Sequence, residues 1–233
     1  MWSSGGSAGE GLLFHVKRGP PPGVLHVKHR LGEDAQAIGV RLDERSEARL
    51  LLYLTLLRDR AVALGLVSAS DSDRLYDRHL LDSLRAHGAF TPDARLAVDL
   101  GSGAGLPGVV LASTLPRCSF LLIEPRRRAV AFLELAVERL ELPNVQIVAA
   151  PAGEVNAAAD VATARAFGPI DRSWAAAWPL LRPGGRLVYF AGRGLRDAAA
   201  AARALRDPEP PFDVRTPSVI ASWPPLVIMS RRR

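Results

Sequence analysis

The chain has 233 residues, 48% of them apolar, which suits one domain with a sizeable core and extensions. A single cysteine, Cys118, excludes a disulfide framework and a cysteine-based zinc site, and no run of about 20 uncharged apolar residues is present to cross a membrane. The formal charge of +6, carried mostly by arginine, suits a phosphate-rich partner and equally a GC-rich coding sequence. A cytoplasmic, soluble protein without a metal is expected.

Residues 1–33 hold Gly5, Gly6, Gly9, Gly11, Gly19 and the run Pro20-Pro21-Pro22-Gly23, and offer little to bury, so a disordered arm is expected there. Within it Phe14-His15-Val16-Lys17 recurs as Leu25-His26-Val27-Lys28. Nothing acidic or periodic surrounds these histidines to make a metal site. The codons TTT CAC GTG AAA would encode the first copy as a sequence equal to its own reverse complement, which points to a constraint on the DNA rather than on the peptide.

From Asp43 onward, Leu50, Leu51, Leu54, Leu57, Val62 and Leu64 recur at three- and four-residue steps, predicting an amphipathic helix. A second helix is predicted after the capping residues Ser70-Asp71-Ser72, through Leu75, Tyr76, His79, Leu80 and Leu84. Together they form a small helical cap over 34–92, ahead of a main domain over 93–233.

In that domain strands are predicted at 95–100, 119–123, 145–149, 160–164, 186–190, 213–220 and 226–230. Helices are predicted between them at 107–115, 127–140, 174–181 and 196–206, with a turn at Arg182-Pro183-Gly184-Gly185. Such alternation predicts an α/β, Rossmann-like, mainly parallel seven-stranded sheet covered on both faces. Its ligand crevice should lie at the carboxyl ends of the strands.

The first strand-to-helix turn reads VDLGSGAGLPG from Val98 to Gly108. Glycines there let backbone and helix N-terminus approach a ligand. Gly103 to Gly108 formally matches GxGxxG, with Glu124 about 20 residues on, so a dinucleotide site is one reading. The glycines, however, begin at Gly101, directly after the strand, and Asp99 would put a carboxylate in the crevice, which favours a cationic ligand. S-adenosylmethionine fits that pattern. Gly101 and Gly103 would clear room for its methionine portion, and Glu124 would accept its ribose hydroxyls.

Tyr76-Asp77-Arg78-His79-Leu80-Leu81-Asp82-Ser83-Leu84 precedes this turn, and LLIEPRRRAVAFLE (121–134), ATARAF (162–167) and LLRPGGRL (180–187) follow it. In this order, over residues 45–192, the motifs resemble the glucose-inhibited division protein B family. Its members are bacterial class I, S-adenosylmethionine-dependent methyltransferases that modify N7 of a guanine in 16S ribosomal RNA. The resemblance implies cofactor contacts at Gly101, Leu106, Ala152, Gly153 and Arg165, and 16S ribosomal RNA or the small ribosomal subunit as partner, bound by a monomer.

Guanine N7 carries a lone pair in the neutral base, so its methylation needs no general base. It needs alignment and a field that tolerates charge moving from sulfonium to base. Arg165 is therefore the candidate positioning residue, and the runs Arg126-Arg127-Arg128 and Arg231-Arg232-Arg233 are candidates for holding RNA phosphate. Phe167, Trp174 and Tyr189 are candidate stacking partners for an extruded base. Three departures from the family fall more on the substrate side than on the cofactor side. Ala191 stands where a lysine is usual, Pro151 where a basic residue is common, and the Trp-Asn motif usual in the first helix is not visible near Arg58-Asp59.

Overall fold

The computed structural model describes residues 24–192, 205, 212–215 and 223–232. Residues 1–23, with Phe14 to Lys17, lie outside these, as does the helix expected at 196–206 apart from Leu205. The arm expected over 1–33 is corrected in its last ten residues, because α1 (Val24–Ala37) is helical. Leu31 and Ala35 are buried and Ile38 packs beside them, a four- and three-residue spacing that buries one helix face. Asp34 ties that helix down, pairing with Arg30 at 3.0 Å and accepting from the Tyr76 hydroxyl at 2.8 Å.

α2 (Glu44–Leu56) starts where Asp43 accepts from the Ser46 amide at 2.8 Å, with Glu44 and Glu47 facing the positive end of the helix. It passes into a π turn at Leu57–Ala61. The second expected cap helix is broken up. A 3-10 stretch at Ala69–Arg74, a π stretch at Leu75–Leu81, α3 (Asp82–Leu84) and a 3-10 turn at Arg85–Ala89 follow one another. In the π stretch a side chain enters the ladder: Arg165 donates to the carbonyls of Arg78 and His79 at 2.7 and 3.3 Å.

The strands are β1 (Leu96–Leu100), β2 (Ser119–Ile123), β3 (Val145–Val148), β4 (Ala159–Arg165), β5 (Leu181–Phe190), β6 (Phe212–Arg215) and β7 (Leu226–Ser230). Among the described residues they form one sheet in the order β3-β2-β1-β4-β5-β7-β6. β1 to β5 pair in parallel, and β7 runs antiparallel to β5 and β6. The order reverses between β1 and β4, and a ligand crevice is expected at the carboxyl ends there.

The connecting helices are α4 (Gly108–Thr114), α5 (Arg127–Arg139) and α6 (Ile170–Ala177). Alternate strand residues feed two cores: Ala97, Phe120, Leu122 and Val188 join α4, α5 and the cap, while Val98, Leu100, Ala162 and Leu187 join α6. The turn expected at 182–185 is instead the start of β5. Gly184 adopts φ +80, and a Cβ on Gly185 would come within 2.7 Å of the Ala159 carbonyl, where the β4 register shifts.

Candidate functional site

The β1–α4 turn is built from positive-φ glycines. Gly101 has φ +62 and Gly103 φ +56, a region that L side chains avoid. A Cβ on Gly101 would lie 2.8 Å from Cδ2 of Phe167, so the ring rests directly on this glycine. Gly103 donates its amide to Glu124 Oε2 at 2.9 Å.

Glu124 is buried at the end of β2. Burial alone would raise its pKa, but hydrogen bonds from the Arg126 side chain and amide and from the Gly103 amide outweigh it and hold the carboxyl below the usual range. The Arg126 Nη2 lies 3.2 Å from Oε2, and the guanidinium spreads over Gly103. The acceptor expected for ribose hydroxyls is therefore charged, but shared with an arginine.

Asp99 differs from its expected role. It does not open into the crevice; its side chain is buried, accepting from the Thr163 hydroxyl at 2.6 Å and the Gly108 amide at 3.2 Å. Burial, only partly offset by those bonds, pushes its pKa up to about 6. Its work is to hold β4 and the start of α4 against β1. The neighbouring residue Gly108 can carry no Cβ, because Asp99 Oδ2 would lie 2.6 Å away.

A cavity of about 320 Å³ opens beside the turn, lined by Gly101, Ile123, Pro125, Ala152, Gly153 and Phe167 among others. Three of the expected cofactor residues thus meet at one place. Ala152 and Gly153 reach it on the 3-10 turn Ala152–Glu154 after β3, and a Cβ on Gly153 would touch nothing within 4 Å. Pro151 lines the same cavity, together with Arg172 and Ala176 of α6, which sequence reasoning did not single out. Leu106 does not line it; that side chain packs against the cap core.

Arg165 lies elsewhere. At the end of β4 its guanidinium donates to Arg78 O, His79 O, Ser83 Oγ at 3.2 Å and His79 Nδ1 at 3.0 Å, and stands 3.6 Å from Asp82 Oδ2. It fastens the cap to the sheet. It also lines a second cavity, of about 480 Å³, with Asp71, Arg78, His79, Tyr189, Trp223 and others. Ala166 and Gly168 line this second cavity while Phe167 lines the first, so one short segment separates the two. Ala166 holds φ +53, a strained conformation for a residue with a side chain.

The stacking candidates divide in the same way. Phe167 covers Gly101, Tyr189 lines the second cavity with its hydroxyl on Gly168 O at 3.1 Å, and Trp174 is core, edge-on to Trp178. Arg127 and Arg128 are exposed at the start of α5, near the cap turn at Gly65. Arg231 is corrected to a structural role: it donates to the Trp178 and Leu181 carbonyls and lies 4.8 Å over the Trp178 ring. Arg233 lies outside the described residues. Asp71, Asp82 and Trp223 were not legible as site residues. Asp71 read as a helix cap, and Trp223 lies far along the chain from Phe167, Trp174 and Tyr189, with no spacing that links it to them.

The family model described as rRNA small subunit methyltransferase G (GidB) matches residues 46–217. A ribosomal RNA small subunit methyltransferase G of Thermobifida fusca is 44% identical over 142 residues, 60% of each chain. One from Salinispora arenicola is 39% identical over 195 residues, 80% of this chain and 76% of its own length. A SAM-dependent methyltransferase structure from Aquifex aeolicus superposes with a TM-score of 0.54 at 12% identity, covering 73% of this chain and 97% of that one, a likeness of fold.

Proposed function

Because the chain belongs to the rRNA small subunit methyltransferase G family, we propose that it transfers a methyl group from S-adenosylmethionine to N7 of a guanine in 16S ribosomal RNA. The observation that carries this reading is the glycine cradle at the sheet's reversal point, with a second cavity one segment away. A small-molecule site and an acceptor site side by side are what group transfer requires.

The cradle suits the cofactor. A cavity of about 320 Å³ is at the lower end of the size of small-molecule sites, ~300–1,000 Å³, and at Gly101 a side chain would push the Phe167 ring into it. Gly101, Gly103, Ala152 and Gly153 would hold it through backbone and close contact, and Glu124 would take the ribose hydroxyls. S-adenosylmethionine supplies a methyl carbon made electrophilic by its sulfonium.

The remaining work is positional. Guanine N7 attacks with its own lone pair, the carbon–sulfur bond breaks as the carbon–nitrogen bond forms, and no proton moves. No general base is needed. Arg165 contributes by holding the cap against the end of β4, which fixes the wall on which the base is placed. Exposed Arg127 and Arg128 offer charge for RNA phosphate beside the cofactor cavity. We infer a monomer acting in the cytoplasm, where ribosomal subunits are; among the described residues no helix is long and apolar enough to cross a membrane.

The test is incubation with methyl-labelled cofactor and small subunits lacking the modification. Label is expected in 16S ribosomal RNA. Cofactor binding without incorporation would overturn the reading.

A further inference from the structure

The second cavity, of about 480 Å³, is walled by the cap, the ends of β4 and β5, and Trp223 just before β7. Its chemistry is unlike that of the first. Aromatic side chains, Tyr189, Phe190 and Trp223, stand with two carboxylates, Asp71 and Asp82. A flat, polar-edged ligand such as a base pulled from its stack matches that combination. Arg74, Arg78 and Arg165 line the same wall, so its carboxylates stand among cations.

The two carboxylates differ. Asp82 is held by Arg85 at 2.9 Å and faces Arg165 at 3.6 Å. Asp71 uses Oδ1 for Arg78, at 2.5 Å, but among the described residues its Oδ2 accepts no hydrogen bond. Oδ2 stands 3.5 Å from His79 Nε2, which itself makes no hydrogen bond.

The state of His79 follows from its other nitrogen. A guanidinium only donates, so His79 Nδ1 accepts from Arg165 and the proton of the neutral ring sits on Nε2. Burial, reinforced by Arg165, lowers the His79 pKa to about 4 and keeps the ring neutral. His79 Nε2–H is itself enclosed, so what the wall offers a ligand is the Asp71 Oδ2 acceptor. A carboxylate oxygen matches the N1–H and N2–H₂ donors of guanine.

We propose that this cavity receives the guanine to be methylated and that Asp71 is its specificity-determining residue, its Oδ2 accepting from N1–H and N2–H₂. The proposal rests on the methyltransferase reading above and names the acceptor's place and reader. N7 lies on the Hoogsteen edge, across the purine from N2. A base held by Asp71 thus presents N7 away from that carboxylate, and only the segment Ala166–Gly168 separates this cavity from the cofactor cavity. As methylation makes the base cationic, N1–H and N2–H₂ become stronger donors, so the bond to Asp71 tightens as the reaction proceeds.

The test compares 16S ribosomal RNA carrying guanine or inosine at the modified position, since inosine lacks only the N2 amino group. The wild type is expected to prefer guanine by about tenfold or more in kcat/KM. Asp71→Asn is expected to transfer more slowly and to lose that preference, with unchanged cofactor affinity by calorimetry showing an intact fold. Trp223→Ala is expected to raise KM for both RNAs alike while keeping the preference. Equal use of the two RNAs by the wild type, or a full preference retained by Asp71→Asn, would overturn the assignment of Asp71. Transfer to neither RNA by the wild type would overturn the methyltransferase reading and the pocket with it.

Discussion

Gly101 is the residue on which the cofactor cavity most directly depends. With φ +62 and Phe167 in the place of a Cβ, Gly101→Ala would add backbone strain of about 1–3 kcal/mol and push the ring into the cavity. Cofactor affinity is expected to fall at least about tenfold by calorimetry, and Phe167→Ala in the same chain should restore part of it. Asp99 gives a pH signature. Its pKa stands at about 6 in the fold against an ordinary 3.8, so the native state keeps a proton that the unfolded chain releases. Stability therefore falls as pH rises from about 4 to 6, by at most about 3 kcal/mol. Asp99→Asn is expected to flatten the dependence of Tm on pH across that window. The glycine turn after β1 and the carboxylate after β2 were legible as positions, because sequence shows backbone freedom and residue type. That Asp99 faces inward was not, because its partners Thr163 and Gly108 come from other points in the chain.

The helical cap is held at several places, two of which can be tested separately. Leu31 of α1 is fully buried, and Leu31→Ala should cost about 2–5 kcal/mol in urea unfolding. Such a loss would show that α1 belongs to the core of the cap rather than to an arm. Its helix was hidden in the sequence by the glycine- and proline-rich run ahead of it, although Leu31, Ala35 and Ile38 carry helical spacing. Arg165 is the second fastening. Arg165→Ala removes one of the two cations beside Asp82 and a donor to the Arg78 and His79 carbonyls, and about 3–5 kcal/mol of stability is expected to go with it. Arg165→Lys keeps the charge but cannot fork between the Arg78 and His79 carbonyls, and should recover only part of that loss. The leucines of the cap gave the right buried face but not the π and 3-10 turns, because periodicity does not reveal a side chain inserted from β4.

At the scale of the molecule, the parallel strands place two cavities side by side across one boundary segment, Ala166 to Gly168. The α/β alternation and the crevice at the strand ends were legible from the spacing of apolar runs and glycines. The partition was not, since it depends on how the cap, Ala166 and Trp223 meet in space. Family motifs on both sides of the glycine turn carried the substrate, and the cavity beyond Phe167 gives that substrate a place. The most direct measurement uses the chemistry of the product. N7-methylguanosine weakens its own glycosidic bond, so borohydride reduction followed by aniline cleaves RNA at the modified base. Treatment of initially unmodified small subunits with protein and cofactor is expected to create scission at a single guanine of 16S ribosomal RNA. Label incorporated without scission would place the methyl on another atom and contradict the assignment of N7.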